Sequence, residues 1–148
     1  MKIYLDTSVI SALFDDRNPE RKALTEEFFS KIEAYSTYIS ELTIAEIEKT
    51  PDRVLRGEME QAVKDFPVLE INRFVEELAS EYVRYEAVPE SYPEDAYHIA
   101  VAVLNEMDYL LSWNFRHIVR RKTKDIVRMV NTLRNLKHVE IIAPGELL

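Results

Sequence analysis

Four short stretches of this sequence carry oxygen donors beside apolar runs: Asp6 in LDTSVI, Glu46 in ELTIAEIEK, Asp95 in PEDAYHIAVAVL and Asn114 in SWNFRHI. Asp95 is the most unusual of them. On a helical wheel it falls at the edge of the apolar stripe made by Ala96, Ile99, Ala100, Val103, Leu104 and Met107. An unpaired carboxylate buried there costs several kcal/mol, so it needs something to hold. Oxygen donors in a chain with no cysteine and 3 histidines suit a hard cation, Mg²⁺ or Mn²⁺, rather than zinc. Such an ion, bound through carboxylates and waters, can polarise a phosphoryl oxygen, activate water and steady a leaving oxygen. Without it, clustered carboxylates repel one another and some should titrate high.

The elements that must position these residues follow from the pattern of apolar runs. Strands are predicted at KIYL (2–5), TYIS (37–40), VLEI (68–71), YLLS (109–112) and VEIIA (139–143). Helical spacing predicts helices near 8–14, 20–34, 43–64, 72–87, 93–107 and 123–136, with Pro51 breaking the third near Thr50. Alternating strands and helices indicate one α/β domain over 1–148, built on a mainly parallel sheet with right-handed crossovers. Ligands in such sheets bind at the carboxyl ends of the strands. Asp6 follows the first strand, Glu46 lies early in the helix after the second, and Asn114 follows the fourth. The helix carrying Asp95 opens just before that fourth strand. Three carboxylates and an amide are therefore expected at one end of the sheet.

Each residue also has a plainer explanation. Asp6 suits a helix N-cap, although Thr7 and Ser8 stand ready for that task. Glu46 completes a Thr-x-x-Glu capping box with Thr43. Asp95 is favoured near a helix N-terminus by the dipole, which explains its position along the helix but not its apolar face. Asn114 suits a turn or cap. His98, one turn beyond Asp95, suits an interior hydrogen bond, and Trp113 suits packing better than base stacking. Asp108 reads as a helix terminator. The joint pattern is more specific than any member of it.

Composition narrows the class. At 148 residues, 47% hydrophobic and 31% charged, the chain is an ordinary globular sequence. Asp6 and Asp15 interrupt the N-terminal apolar run, no cleavage site follows, and no stretch is long enough to span a membrane, so a cytoplasmic protein is expected. With 2 glycines there is no glycine-rich phosphate loop, which excludes P-loop and dinucleotide-binding readings. The net charge of −8 at first argues against nucleic acid, but from Asn114 to His138 eight basic residues face the single acid Asp125. Arg116, Arg120 and Arg121 in this segment are candidates for steering an RNA backbone; a solvated basic helix face is the plainer reading.

The stretches IYLDTSVI, ISELTIAEI, EDAYHIAVAVLNEMDYLLSWNFRHI and IIAPGEL together resemble the PIN-domain ribonucleases, especially the toxin component of VapBC toxin–antitoxin modules. The resemblance runs in order over nearly the whole chain, with about 51–90 the least diagnostic part. It implies a PIN-like α/β/α sandwich and Mg²⁺- or Mn²⁺-dependent hydrolysis of RNA phosphodiester bonds. The family's first three acids fall on Asp6, Glu46 and Asp95, as catalytic residues and metal ligands. Its fourth position, often Asp, is Asn114 here, which supplies no charge and puts a second metal in doubt. Thr7 and Ser8 stand as supporting hydroxyls.

The same resemblance implies a homodimer and a cognate antitoxin. Surplus apolar residues at Phe28, Phe29, Val54, Leu55 and Met59 offer a docking groove for it. Two alternatives stay open: a PIN-like RNA- or protein-binding module with weak or no catalysis, and an RNA-processing nuclease without an antitoxin. A phosphatase on a similar sheet is disfavoured, because Ser8 stands where the haloacid-dehalogenase type has its second Asp.

Overall fold

A computed structural model describes residues 1–148. The strands are β1 (Lys2–Leu5), β2 (Ser36–Ser40), β3 (Val68–Leu69), β4 (Tyr109–Leu111) and β5 (Glu140–Ile142). They form one sheet in the order β3-β2-β1-β4-β5, and every pairing is parallel. The helices are α1 (Thr7–Ala12), α2 (Pro19–Ser30), α3 (Glu41–Glu48), α4 (Arg53–Val63), α5 (Arg73–Arg84), α6 (Pro93–Leu104) and α7 (Arg121–Leu133). Short 3₁₀ turns lie at Ile32–Ala34 and Pro144–Leu147.

Strand pleat decides which side chain enters which layer. In β1, Ile3 and Leu5 pack on one face among Val9, Ile10, Phe28, Ile47 and Met59, from α1 to α4. Tyr4 points the other way, among Leu78, Tyr82, Ile99 and Val127 of α5, α6 and α7. The same split recurs at Leu110 and Leu111 of β4 and at Ile141 and Ile142 of β5. Two apolar cores thus enclose the sheet, giving the expected α/β/α sandwich. Burying both faces makes the strands read as apolar runs rather than alternating ones.

The strand order fixes where function can lie. Sequential strands run outward from β1 through β2 to β3 on one side, and through β4 to β5 on the other. The crevice between β1 and β4 is therefore the topological switch point, beyond whose carboxyl ends ligands bind in open α/β sheets. A ladder bond from the Asp6 N–H to the Leu111 carbonyl, 3.2 Å, carries the pairing to that edge.

Several boundaries differ from the sequence reading. The break expected at Pro51 divides 43–64 into α3 and α4, but α3 starts early, at Glu41, and α4 opens at Arg53 behind the Asp52 cap. α2 stops at Ser30 and α6 at Leu104, each earlier than apolar spacing implies. Met107 is buried beyond the end of α6 rather than on it. Of the five residues offered as a groove, Phe28 and Met59 are core, Phe29 and Leu55 are half-buried and Val54 is exposed.

Candidate active site

Asp6 terminates β1 and is the N-cap of α1. Its Oδ1 accepts the Ser8 N–H at 3.0 Å and the Ser8 hydroxyl at 2.5 Å, while Ser112 donates its hydroxyl to Oδ2. So Asp6 itself does the capping that Thr7 and Ser8 were expected to spare it, and it is 3% exposed. Burial pushes its pKa up, against the field of His98 and the donated hydrogen bonds of Ser112 and Ser8.

Ser112, at the mouth of β4, is the residue that sequence reasoning missed. Its oxygen also accepts the Asn114 N–H at 2.9 Å, so one hydroxyl couples Asp6 to the loop after β4. The Ser8 hydroxyl does the same for the Trp113 N–H at 2.9 Å. The only sign in the sequence was a polar residue closing the apolar run YLLS at its carboxyl end, and the structure buries it completely.

Glu46 lies on α3, but not in the capping box expected for it. The helix begins at Glu41, two residues before Thr43, its N-cap is Ser40, and the box joins Ser40 to Thr43. Glu46 is thereby released to the site. Its Oε1 accepts the Thr7 hydroxyl at 2.6 Å and lies 2.7 Å from His98 Nε2. Burial works to raise its pKa, but the hydrogen bonds and charge of His98 and the Thr7 hydroxyl prevail and hold it below the usual value.

His98 is buried, as its place on α6 suggested, yet it also borders the site. Its Nδ1 is 2.6 Å from the Tyr4 hydroxyl, which is 2.8 Å from Ser40 Oγ. Burial disfavours the imidazolium; the Glu46 hydrogen bond and the fields of Asp6, Glu46 and Asp95 outweigh it and raise the pKa. All three predicted carboxylates therefore act on one ring.

Asp95, on the first turn of α6, is 8% exposed and answers its apolar position with two partners. Its Oδ2 lies 3.0 Å from His117 Nδ1, and its Oδ1 accepts the Asn114 amide at 3.3 Å. Burial raises its pKa, opposed by the hydrogen bond and charge of His117. Asn114 turns its own oxygen to the His117 N–H at 2.9 Å, so the amide locks the loop and Asp95 together.

The basic candidates separate. Arg116 and Arg121 are exposed, and Arg121 meets only Asp125, at 3.7 Å. Arg120 is spent inside the fold: its Nε donates to Thr123 Oγ1 at 2.7 Å and its guanidinium to the Ala87 carbonyl at 3.2 Å. Trp113 packs as expected, with Nε1 donating to Thr25 Oγ1 at 2.9 Å. Asp108 joins β4 to β1, accepting the Lys2 N–H at 2.8 Å and the Lys137 ammonium at 3.2 Å.

No three His, Asp or Glu side chains surround a common point as metal ligands. The donor chemistry still fits a hard cation, since Mg²⁺ is commonly bound through one or two carboxylates and waters rather than in a closed protein cage. Asp6 and Asp95, bridged by Ser112 and Asn114, are the pair that answers to this description.

Comparison with known proteins bears on the family and the fold. No curated protein matches the chain. The fold is similar to that of VapBC2 from Rickettsia felis, solved bound to a DNA fragment from its promoter, with a TM-score of 0.59 at 9% identity over 95% of this chain and 97% of that one. It is similar too to VapBC-5 of Mycobacterium tuberculosis, of the VapBC family of toxin–antitoxin systems, with a TM-score of 0.52 at 17% identity over 96% of this chain and 98% of the other. The PIN domain family model matches residues 3–122, a span holding β1 from Ile3 on, the switch point and every residue of the site. With its acids delivered to the carboxyl edge of a five-stranded parallel sheet, the chain belongs to the PIN domain family.

Proposed function

We propose that this protein is a metal-dependent endoribonuclease that hydrolyses RNA phosphodiester bonds, acting as the toxin of a toxin–antitoxin pair. PIN domains are in general nucleases, and the observation that carries the reading here is the gathering of Asp6, Glu46 and Asp95 at the carboxyl edge of the sheet, with Asp6 linked to Asp95 through Ser112 and Asn114 and Glu46 held by Thr7 and His98. Asp6 and Asp95 would hold Mg²⁺ or Mn²⁺, which when bound supplies charge stabilisation to the phosphate and lowers the pKa of water. Ser8 and Ser112 fix the Asp6 carboxylate, and Asn114 and His117 fix Asp95. Glu46, with Oε1 held by Thr7 and His98, is placed either to ligate the ion or to accept a proton from the attacking water. The reaction is in-line attack by water, with no protein nucleophile.

The antitoxin and a homodimer belong to the same proposal; the VapBC structures among the neighbours support the antitoxin, and the homodimer rests on the family resemblance alone. Residues Ile44, Val63, Phe66 and Val68 line a groove beside α3 and α4 where an amphipathic segment would lie. One observation favours a non-cutting module: Asn114, at the position where the family often has an acid, donates its amide to Asp95 and adds no charge to the site.

The test incubates purified protein with structured and unstructured RNAs in Mn²⁺, Mg²⁺ or chelator, alongside Asp6→Asn and Asp95→Asn. Metal-dependent cutting lost in both variants is the expected result. Metal binding without cutting of a broad RNA panel would instead support the binding module.

A further inference from the structure

The loop that carries Asn114 next exposes an aromatic ring. Phe115 is 49% exposed although it follows buried Trp113 by two residues. The two rings meet edge to face, centroids 6.1 Å apart at 69°. The Arg21 guanidinium lies over both, 5.0 Å from the Trp113 centroid and 5.7 Å from that of Phe115. Neither Arg21 nor the adjacent Arg116 forms an ion pair, in a chain of net charge −8.

A second ring stands on the segment that delivers Asp95. Tyr92 is 44% exposed, packs on His117 with centroids 4.5 Å apart, and accepts the Asp95 N–H on its carbonyl at 3.2 Å. Two exposed aromatics therefore sit on the two segments that meet at Asp95 and Asn114, one of them in contact with the Arg21 guanidinium and followed in sequence by exposed Arg116. An exposed aromatic ring beside a cation that has no carboxylate partner suits an unpaired base next to its own phosphate. A base inside a duplex is already stacked on both faces and has none to offer.

We propose that Phe115 and Tyr92 are stacking platforms for unpaired bases flanking the scissile phosphate, with Arg21 and Arg116 taking neighbouring phosphates. The position of the bases relative to the cut rests on the nuclease reading above. The platform does not require turnover.

The test measures binding in chelator of an end-labelled, fully 2′-O-methylated oligonucleotide by fluorescence anisotropy, as a single strand and annealed to its complement. Quenching of Trp113, the 1 tryptophan of the chain, reports where the strand sits. The single strand is expected to bind and quench, and the duplex to bind much more weakly. Phe115→Ala and Phe115→Leu should each weaken binding about 5- to 100-fold, Tyr92→Ala comparably, and Phe115→Tyr should restore it.

Equal binding of duplex and single strand, or a Phe115→Leu protein that binds like wild type, would overturn the proposal. The latter would assign the exposed ring to a protein contact instead. Because this assay needs neither metal nor cleavage, stacking that survives in a protein unable to cut RNA overturns only the nuclease reading. Cleavage with aromatic-independent binding overturns only this one.

Discussion

His98 Nε2 lies 2.7 Å from Glu46 Oε1, and no other contact ties α6 to the carboxylate of α3 so closely. With its second nitrogen on the Tyr4 hydroxyl, the protonated ring can donate on both sides, and Tyr4 can pass its own proton to Ser40. The folded pKa is raised above the unfolded value near 6.5. The ring's stabilisation is then fully present below that unfolded value and fades as pH rises through the folded one. In metal-free protein, NMR titration of the three histidines should place His98 above 6.5, and Asp6→Asn should lower it. The stability advantage over His98→Gln in urea should shrink with rising pH. A His98 titrating below the ordinary histidine value would contradict this account.

Ser112 gives the next prediction. Its hydroxyl donates to buried Asp6 and accepts the Asn114 N–H, so Ser112→Ala removes a donor from a carboxylate and orphans an amide at once. The expected loss is about 1–3 kcal/mol in denaturant unfolding. Ser112→Ala should also raise the pKa of Asp6 further, since a hydrogen bond that favours its charged form is gone. A variant as stable as wild type would show that water replaces the hydroxyl.

How far the sequence foretold this molecule depends on the kind of signal. Both faces of the sheet are buried, so the strands appear as apolar runs, and the alternation of strand and helix was enough to imply the parallel sheet and its carboxyl-edge site. Asp6, Glu46 and Asp95 were legible as acids following strands or opening a helix. Their partners were not, because Ser112, Tyr4 and Ser40 are polar groups whose neighbours lie 36 to 106 positions away. The helix ends were also hidden. α5, α6 and α7 each close with a residue in the left-handed region, Glu86 (φ 63°), Glu106 (φ 55°) and Asn135 (φ 55°), and none is the glycine that usually marks the position.

That substitution pattern is itself testable. Glu106 donates its N–H to the Val103 carbonyl, and Met107 reaches back to Ala102, as a Schellman closure requires. A left-handed L-residue costs roughly 1–2 kcal/mol, and glycine returns part of that through a more flexible unfolded chain. Glu106→Gly should therefore stabilise the fold by up to about 1 kcal/mol. The opposite change applies at exposed Gly57 in α4, where an added Cβ meets nothing within 4 Å and Gly57→Ala should gain about 1 kcal/mol. Thermal or urea unfolding checks both; a loss at either site would show that backbone conformation is not what sets the energy there.

The basic segment divides into structural and binding arginines, and salt dependence separates them. Arg120 ties the start of α7 at Thr123 to the segment after α5 through the Ala87 carbonyl, while Arg116 is exposed and unpaired next to Phe115 in sequence. Arg120→Met leaves buried Thr123 and Ala87 with one donor fewer and should cost about 1–3 kcal/mol of stability. Once folded, that variant should show an unchanged slope of log affinity against log salt for single-stranded RNA. Arg116→Met should barely alter stability and should make the slope shallower by about 0.7, the release expected for one phosphate contact on a single strand. If Arg120→Met flattens the slope and Arg116→Met does not, that tie opens on binding and the two roles are exchanged.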